Sequence, residues 1–481
     1  MSLKRHIVGY APVKLAGALA AFGGVYLFTR LLGPDEYGRY SLLISIMALV
    51  HTLTLTWVEA ANYRFAAIAR AEGRLADHHA TVLVLMRRSI LAALVLTGLL
   101  WWALKDVPGY GAGLAWLGVL LPINTAVQMA LEAHRAGQRV TRYVSSYCFK
   151  ALTGLALGAA IAHWVGWGSA APLVGLALAA SFVALREGRF LWGSARGGHM
   201  DAGAPRAWAA YGVPIAFALV LDLILSSADR FMIAAWLGEA ALGAYAAGYG
   251  VADKTILLLC AWPALAASPL IMGAYETSGA AAAREASRGL INTLLVLGVP
   301  AAAGLALVAQ PLSEAMIGEA LRAQAASIIP WIAFAGLLNG LMIHYASESF
   351  QLARKTALRA ALVAAPATLN IALNAMLIPA LGLMGAVYAT VLSYGVGLAL
   401  LAFVGRRLVA FHWPVETLLK AVAASAAMVP AIALVPNWGS WPQLIIEAAA
   451  GAVAFAIAAF ALDAGGVRAL LPARLRSSEP A

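Results

Sequence analysis

From Ile7 to Asp463 the chain is a near-continuous succession of apolar runs, each about 20 residues long and parted by short polar stretches. A run of that length has no polar face to offer water. In a bilayer it crosses the hydrocarbon as a helix, because only a helix or a closed barrel satisfies every backbone group there. Charged residues make up 11% of the chain, against roughly a quarter in soluble domains, and no polar stretch is long enough to fold alone. The sequence therefore predicts an all-α polytopic membrane protein. Residues 1–6 are short and basic, and the apolar run after them continues to Leu32 without a small-residue cleavage site, so a retained first helix is expected.

About fourteen spans are expected, near 8–31, 41–61, 82–104, 112–131, 144–163, 170–186, 209–236, 243–270, 289–310, 325–347, 358–379, 385–404, 416–435 and 443–463. Charge orients them. With the N-terminus inside, the inner loops hold Lys4 and Arg5; Arg64, Arg70 and Arg74; Arg135, Arg139 and Arg142; Arg186, Arg189, Arg196 and Arg206; Arg284 and Arg288; Arg354, Lys355 and Arg359; Arg406 and Arg407; and Arg468, Arg474 and Arg476. The outer loops and helix ends hold only Arg30, Arg39, Lys105, Arg230 and Arg322. That bias predicts a multi-pass protein with both termini cytoplasmic, which requires an even count. A missed span would invert the bias downstream, and no inversion occurs. The net charge of +11 is thus distributed as topology signals rather than as a nucleic-acid surface.

The longest polar stretch, Arg186 to Arg206, divides the first six helices from the rest. The expected organisation is an N-terminal lobe at 1–186, a cytoplasmic linker at 187–208, a C-terminal lobe at 209–404, two further helices at 405–463 and a tail at 464–481. A repeat supports two halves. Leu32-Gly33-Pro34-Asp35-Glu36-Tyr37-Gly38-Arg39-Tyr40 and Leu237-Gly238-Glu239-Ala240-Ala241-Leu242-Gly243-Ala244-Tyr245 both read L-G-x4-G-x-Y, with a weaker echo in Leu381-Gly382, Gly385 and Tyr388. Glycine suits a tight reversal and tyrosine the interface, so similar interfacial turns would also explain the pattern. Each copy, however, joins the first two helices of its half. Six helices separate them, an even number, so two parallel six-helix lobes are expected, as in transporters that handle substrate between repeats.

Arg30-Leu-Leu-Gly-Pro-Asp-Glu-Tyr-Gly-Arg-Tyr40 after a glycine-rich first helix resembles the opening of the polysaccharide-transport (Wzx-like) flippases of the multidrug/oligosaccharidyl-lipid/polysaccharide (MOP) exporter superfamily. Asp229-Arg230, Leu237-Gly238 and Gly243-Ala244-Tyr245 resemble that family's second-half pattern. The resemblance runs from about Ile7 to the twelfth helix. It implies a MATE/MurJ-like fold of two six-helix lobes arranged as a V, alternating access, and residence in the bacterial cytoplasmic (inner) membrane. The implied cargo is a polyprenyl-pyrophosphate-linked oligosaccharide, moved from the cytoplasmic to the periplasmic leaflet for surface or exopolysaccharide synthesis, with membrane lipids, a polysaccharide polymerase and a chain-length regulator as partners. Many relatives carry a basic residue directly after the tyrosine of the eighth helix; here Gly250 follows Tyr249 and the base stands at Lys254. A cation-coupled small-molecule exporter or a peptidoglycan-precursor flippase of the same superfamily are the alternatives. A membrane polymerase or ligase would need a sizeable outer loop, which the chain lacks.

Ionisable groups within spans are costly and are the first candidates for function. Asp222 and Lys254 each lie sixteen residues from Gly238, at one depth near mid-bilayer. Either they form a structural pair, or Lys254 faces a cavity and binds pyrophosphate while Asp222 or Asp253 carries a coupling ion. Lys14 and Lys150 either snorkel to the interface or line a cationic cavity. Asp229 is a further ion-coupling candidate, with local pairing to Arg230 as the alternative. Asn339, Asn370 and Asn374 either bond helix to helix or meet sugar hydroxyls in the cavity. There is no Gly-Lys-Ser/Thr phosphate loop and no credible Ser-His-Asp set. His78-His79 has no evident third metal ligand, and the two cysteines, Cys148 and Cys260, stand alone in apolar runs. A transporter without metal or cofactor, and not an enzyme, is the expectation.

Overall fold

A computed structural model of the chain describes residues 3–470. They fold almost entirely into helices: α1 (Leu3–Leu31), α2 (Pro34–Thr54), α3 (Thr56–Ala71), α4 (Leu75–Leu104), α5 (Gly111–Ala136), α6 (Val140–Trp164), α7 (Ala171–Ser194), α8 (Ala204–Leu237), α9 (Glu239–Leu307), α10 (Ala309–Met316), α11 (Glu319–Leu341), α12 (Glu348–Leu352), α13 (Thr356–Leu381), α14 (Leu383–Gly405), α15 (Val415–Ala426), α16 (Met428–Ala433) and α17 (Ser440–Leu462). A short π-helical segment, Met342–Ala346, joins α11 to α12.

Among the described residues twelve helices are long and apolar enough to cross a membrane, and α2 with α3 adds a thirteenth as one span bent by 52°. The α9 helix has 69 residues, about 100 Å at 1.5 Å per residue, far more than a bilayer of about 30 Å needs. It breaks at Gly279 (φ 78°, ψ −168°), and each arm is long enough to span. Counted so, the segments number fourteen, as the apolar runs predict.

The bend between α2 and α3 falls at Leu55, with neither proline nor glycine at the break. His51 on one side and Glu59 on the other face each other at 3.1 Å across it. Backbone bonds continue through the bend, from the Leu55 amide to the His51 carbonyl and from the Val58 and Glu59 amides to the Leu55 carbonyl, as lipid requires. The connection between the sixth and seventh spans is shorter than its polar composition suggests, because α7 runs on to Ser194 and α8 begins at Ala204.

The chain forms two compact units, Met1–Ala246 and Ala247–Ala481. In the first, α6 packs on α7, α5 on α7, α1 on α6 and α3 on α8. Glycine makes the closest of these approaches. A Cβ on Gly175 of α7 would overlap the backbone of Gly158 on α6 and stand 2.8 Å from the Gly154 carbonyl oxygen. In lipid there is no hydrophobic drive between helices, so van der Waals fit at small residues holds them together. The α8 helix, which the sequence assigns to the second lobe, packs on α2 and α3 within this unit. In the second unit α13 packs on α14, α11 on α14, and α15 and α16 on α17. There Gly336 and Gly340 of α11 lie against α9; a Cβ on Gly340 would stand 2.7 Å from the Cys260 sulfur.

Candidate functional site

The repeated motif places two helix starts against each other in the first unit. The α2 helix begins at Pro34 and α9 at Glu239, the third residue of each L-G-x4-G-x-Y copy. A Cβ on Gly38 would overlap the Glu239 carbonyl and stand 3.1 Å from the Gly243 nitrogen. A Cβ on Gly243 would stand 2.5 Å from the Pro34 carbonyl oxygen and 3.3 Å from the Gly38 nitrogen. Corresponding atoms of the two copies therefore touch one another reciprocally. The second glycine of the motif is required for this backbone crossing. The first glycine answers to its neighbour: Gly238 takes φ +86°, whereas Gly33, held extended by the following proline, has φ −65° and ψ 164°.

Side chains tie this end together. Glu36 accepts from Arg39 at 2.6 Å and from the Ser169 amide at 2.5 Å. The Arg39 guanidinium also lies 3.9 Å from Glu239, and the Tyr110 hydroxyl donates to Glu239 at 3.2 Å. Burial, then the charge of Glu239 and the hydrogen bond to it, raise the Tyr110 phenol above its usual range, while Arg39 opposes them.

The motif tyrosines differ in chemistry. Tyr40 belongs to an aromatic group with Phe28 and Tyr37, at ring separations of 5.5 and 6.1 Å. Tyr245 instead donates its hydroxyl to Asp229, which is 2% exposed and also accepts from the Arg230 amide at 2.8 Å. The Arg230 side chain reaches Ser45 of α2 at 3.3 Å. Asp229 is thus built into the packing of α8, α9 and α2.

The remaining sequence candidates lie on several helices of the two units. Lys150 donates to Asn124 at 2.9 Å, from α6 to α5. Lys14 is exposed on α1, and Asp222 is half-buried on α8. On α9, in the second unit, Asp253 is buried and Lys254 is exposed. Asn339 is buried on α11. Asn370 and Asn374 are wholly buried one turn apart on α13, where Asn374 donates to Asn370 at 2.9 Å.

A cavity of about 670 Å³ opens in the first unit at the arginine-rich ends of α3, α4, α5 and α7. Asn62 and Arg70 of α3, His78 and His79 of α4, Glu132 of α5, Gln138 and Arg139 of the next turn, and Phe190 of α7 line it. His78 is buried and hydrogen-bonded to Asn62 at 2.9 Å. The sequence shows these groups separately, as loop charges and a His-His pair; four helix ends bring them together.

The family profile described as "Polysaccharide biosynthesis protein" matches residues 3–272, which include both motif copies. No curated protein sequence matches the chain at a significant level. Among solved structures, the lipid II flippase MurJ in an inward closed conformation is similar with a TM-score of 0.73 at 14% identity, over 94% of this chain and 98% of that one. An inward-facing multidrug resistance MATE family transporter of the MOP superfamily is similar with a TM-score of 0.63 at 13% identity, over 82% of this chain and 94% of that one. A MOP superfamily transporter from Pyrococcus furiosus is similar with a TM-score of 0.54 at 14% identity, over 83% of this chain and 94% of that one. At these identities the likeness establishes the fold.

Proposed function

Because the chain belongs to the polysaccharide biosynthesis protein family and has the MurJ/MATE-like fold, we propose that it is a flippase for polyprenyl-pyrophosphate-linked oligosaccharides. In this reading it works by alternating access in the bacterial inner membrane, both termini cytoplasmic, and passes cargo from the cytoplasmic to the periplasmic leaflet for surface polysaccharide synthesis. A polymerase and a chain-length regulator would act on the product. The observation that carries the proposal is the family match across both L-G-x4-G-x-Y copies, joined to a fold shared with a lipid-linked precursor flippase.

The intramembrane charges then divide by environment. Lys254 is exposed on an apolar helix, where ionisable groups are functional candidates by default, and is proposed to meet the anionic head group. Lys14, also exposed, suits the same role nearer the helix end. Lys150 holds Asn124 and can reach a passing phosphate by exchanging that bond. Asp222 and Asp253 are the proposed ion-coupling carboxylates, while Asp229, held by Tyr245 and the Arg230 amide, is given a packing role. Asn339, Asn370 and Asn374 are proposed to meet cargo only in a conformation that uncovers them.

The test is reconstitution. Proteoliposomes loaded with a labelled polyprenyl-pyrophosphate glycan should expose it to an external glycosidase faster than protein-free vesicles. Lys254→Ala should lower that rate at least tenfold with the melting temperature unchanged. No acceleration by the wild type, together with intact surface polysaccharide after gene deletion, would sink the proposal. A Lys254→Ala protein that transports normally but melts lower would make the lysine structural.

A further inference from the structure

The 670 Å³ cavity takes no part in the motif crossing and contains none of the lysines or aspartates assigned to transport. Its size lies within the range of roughly 300–1,000 Å³ typical of small-molecule sites, far more than one bare anion needs. Its walls are fixed. One turn before Phe190, Glu187 is 1% exposed and accepts from His134 at 2.8 Å and Ser146 at 3.0 Å, with Arg142 at 3.0 Å. His134 stacks on the Phe190 ring at 4.5 Å, and Arg139 lies over the same ring at 4.8 Å. The rim is closed by the chain after α7: His79 bonds the Ser194 carbonyl at 3.3 Å, and Asp77 accepts from the His199 amide at 2.9 Å. Gln138, which lines the cavity, takes φ +55° as the left-handed residue that ends α5, its amide donating to the Arg135 carbonyl and that of Arg139 to the His134 carbonyl.

The charge balance is lopsided. Glu187 is matched by Arg142, with Arg186 at 3.6 Å, and Glu132 is matched by Arg135 at 3.4 Å. Among the described residues Arg70 and Arg139 have no carboxylate partner, and both line the cavity. Both are exposed at the cavity, and the planar fork of an arginine fits phosphate oxygens. The rest of the lining suits a polyol. Asn62, Gln138, Glu132 and His79 offer mixed donors and acceptors, and the rings of Tyr63 and Phe190 offer flat apolar faces.

We propose that this cavity is a binding site for a phosphorylated sugar, its phosphate held by Arg70 and Arg139 and its hydroxyls by the amide, carboxylate and imidazole groups beside them. The ligand can come from two sources: the phosphosugar head of a lipid-linked glycan, or a soluble sugar phosphate or sugar nucleotide. Binding at this site is independent of the flippase proposal, since it is read without any transport step.

Calorimetry on the purified full-length protein tests it. Glucose 1-phosphate and UDP-glucose are the soluble probes, nanodiscs carrying glucosyl-phosphoryl-polyprenol the lipid-borne one, and glucose and inorganic phosphate the controls. A sugar phosphate should bind at least tenfold more tightly than either control, and Arg70→Gln should weaken it at least tenfold at unchanged melting temperature. Arg139→Gln, which also loses a ring contact, serves as the second variant. Saturation by the soluble probes assigns a soluble ligand, and saturation only by the nanodiscs assigns the lipid head group; both support the site. No binding of any sugar phosphate, binding indifferent to both substitutions, or inorganic phosphate binding as tightly as its sugar ester would overturn it. Loss of binding in Arg70→Gln with transport intact would leave the site standing, off the transport path. Failure of transport with binding retained would remove the flippase proposal alone.

Discussion

Asp229 shows how little a residue's identity says about its task until its neighbours are known. A carboxylate in an apolar run reads as a functional charge by default, because an isolated one is too costly to keep. In the fold it is nearly sealed from solvent and holds the hydroxyl of the second motif tyrosine and the amide of Arg230. A hydrogen bond to a charged group contributes about 1.5–3 kcal/mol, and removing one partner leaves the other buried and unsatisfied. Tyr245→Phe should therefore destabilise the protein by about 1.5–3 kcal/mol, and Asp229→Asn by a similar amount. The double substitution should cost clearly less than the two single costs combined. Thermal unfolding in detergent over the four proteins of the cycle reads this coupling. Additive losses would mean that the two residues act separately, and unchanged stability with lost transport would return Asp229 to an ion-coupling role. That Asp229 is special is legible from composition alone. Its partner is not, because Tyr245 stands sixteen residues further along, on the next helix.

At the scale of elements the spans are legible, and the reason is physical. Lipid allows one solution for a lone segment, so an apolar run of the right length is a helix. What the sequence leaves open is how helices bend and where they touch. The bend at Leu55 has no breaker residue, and only the facing of His51 and Glu59 reveals it. The glycines of L-G-x4-G-x-Y read in sequence as turn formers, yet Gly38 and Gly243 lie inside helices and serve a crossing between segments distant in the chain. Spacing along a chain displays a pattern; a close approach between elements supplies its cause. Gly38→Leu or Gly243→Leu places side-chain atoms where Glu239 or Pro34 backbone stands, and should cost about 3 kcal/mol or more. Gly33→Ala is the control, for nothing lies within 4 Å of its added methyl group and its backbone is extended. Its melting temperature should stay within a few degrees of wild type, while the leucine variants melt far lower or fail to accumulate folded. Equal behaviour of all three would mean that the crossing is loose. The cavity is the least legible feature, because Arg70, Arg139 and His78 each read as an ordinary loop or helix-end residue until four helix ends converge.

At the scale of the molecule, the distribution of arginine makes a claim that the fold by itself does not: which loops share a side. Under the charge bias the chain enters and leaves the membrane on the same face, and every span between basic loops is one of a pair. The bent α2–α3 pair and the break at Gly279 are where this claim is most exposed. Counting α2 and α3 as two crossings, or both arms of α9 as one, reverses the sidedness of everything that follows. Single cysteines decide it. With Cys148 and Cys260 replaced by serine, Glu72→Cys and Ala202→Cys should resist a membrane-impermeant maleimide in intact cells whose outer membrane has been made permeable, and should react after lysis. Asp106→Cys and Asn437→Cys should react before lysis. All four positions are exposed in the fold, so protection reports the side of the membrane rather than burial. Glu72 and Asp106 on the same side would make α4 a segment that enters without crossing. Ala202 and Asn437 on the same side would mean an even number of crossings from α8 to α16, and the arms of α9 would then be a single span. Protection of Glu72→Cys and Ala202→Cys with labelling of Asp106→Cys and Asn437→Cys is the outcome that fourteen crossings require of helix geometry and charge together.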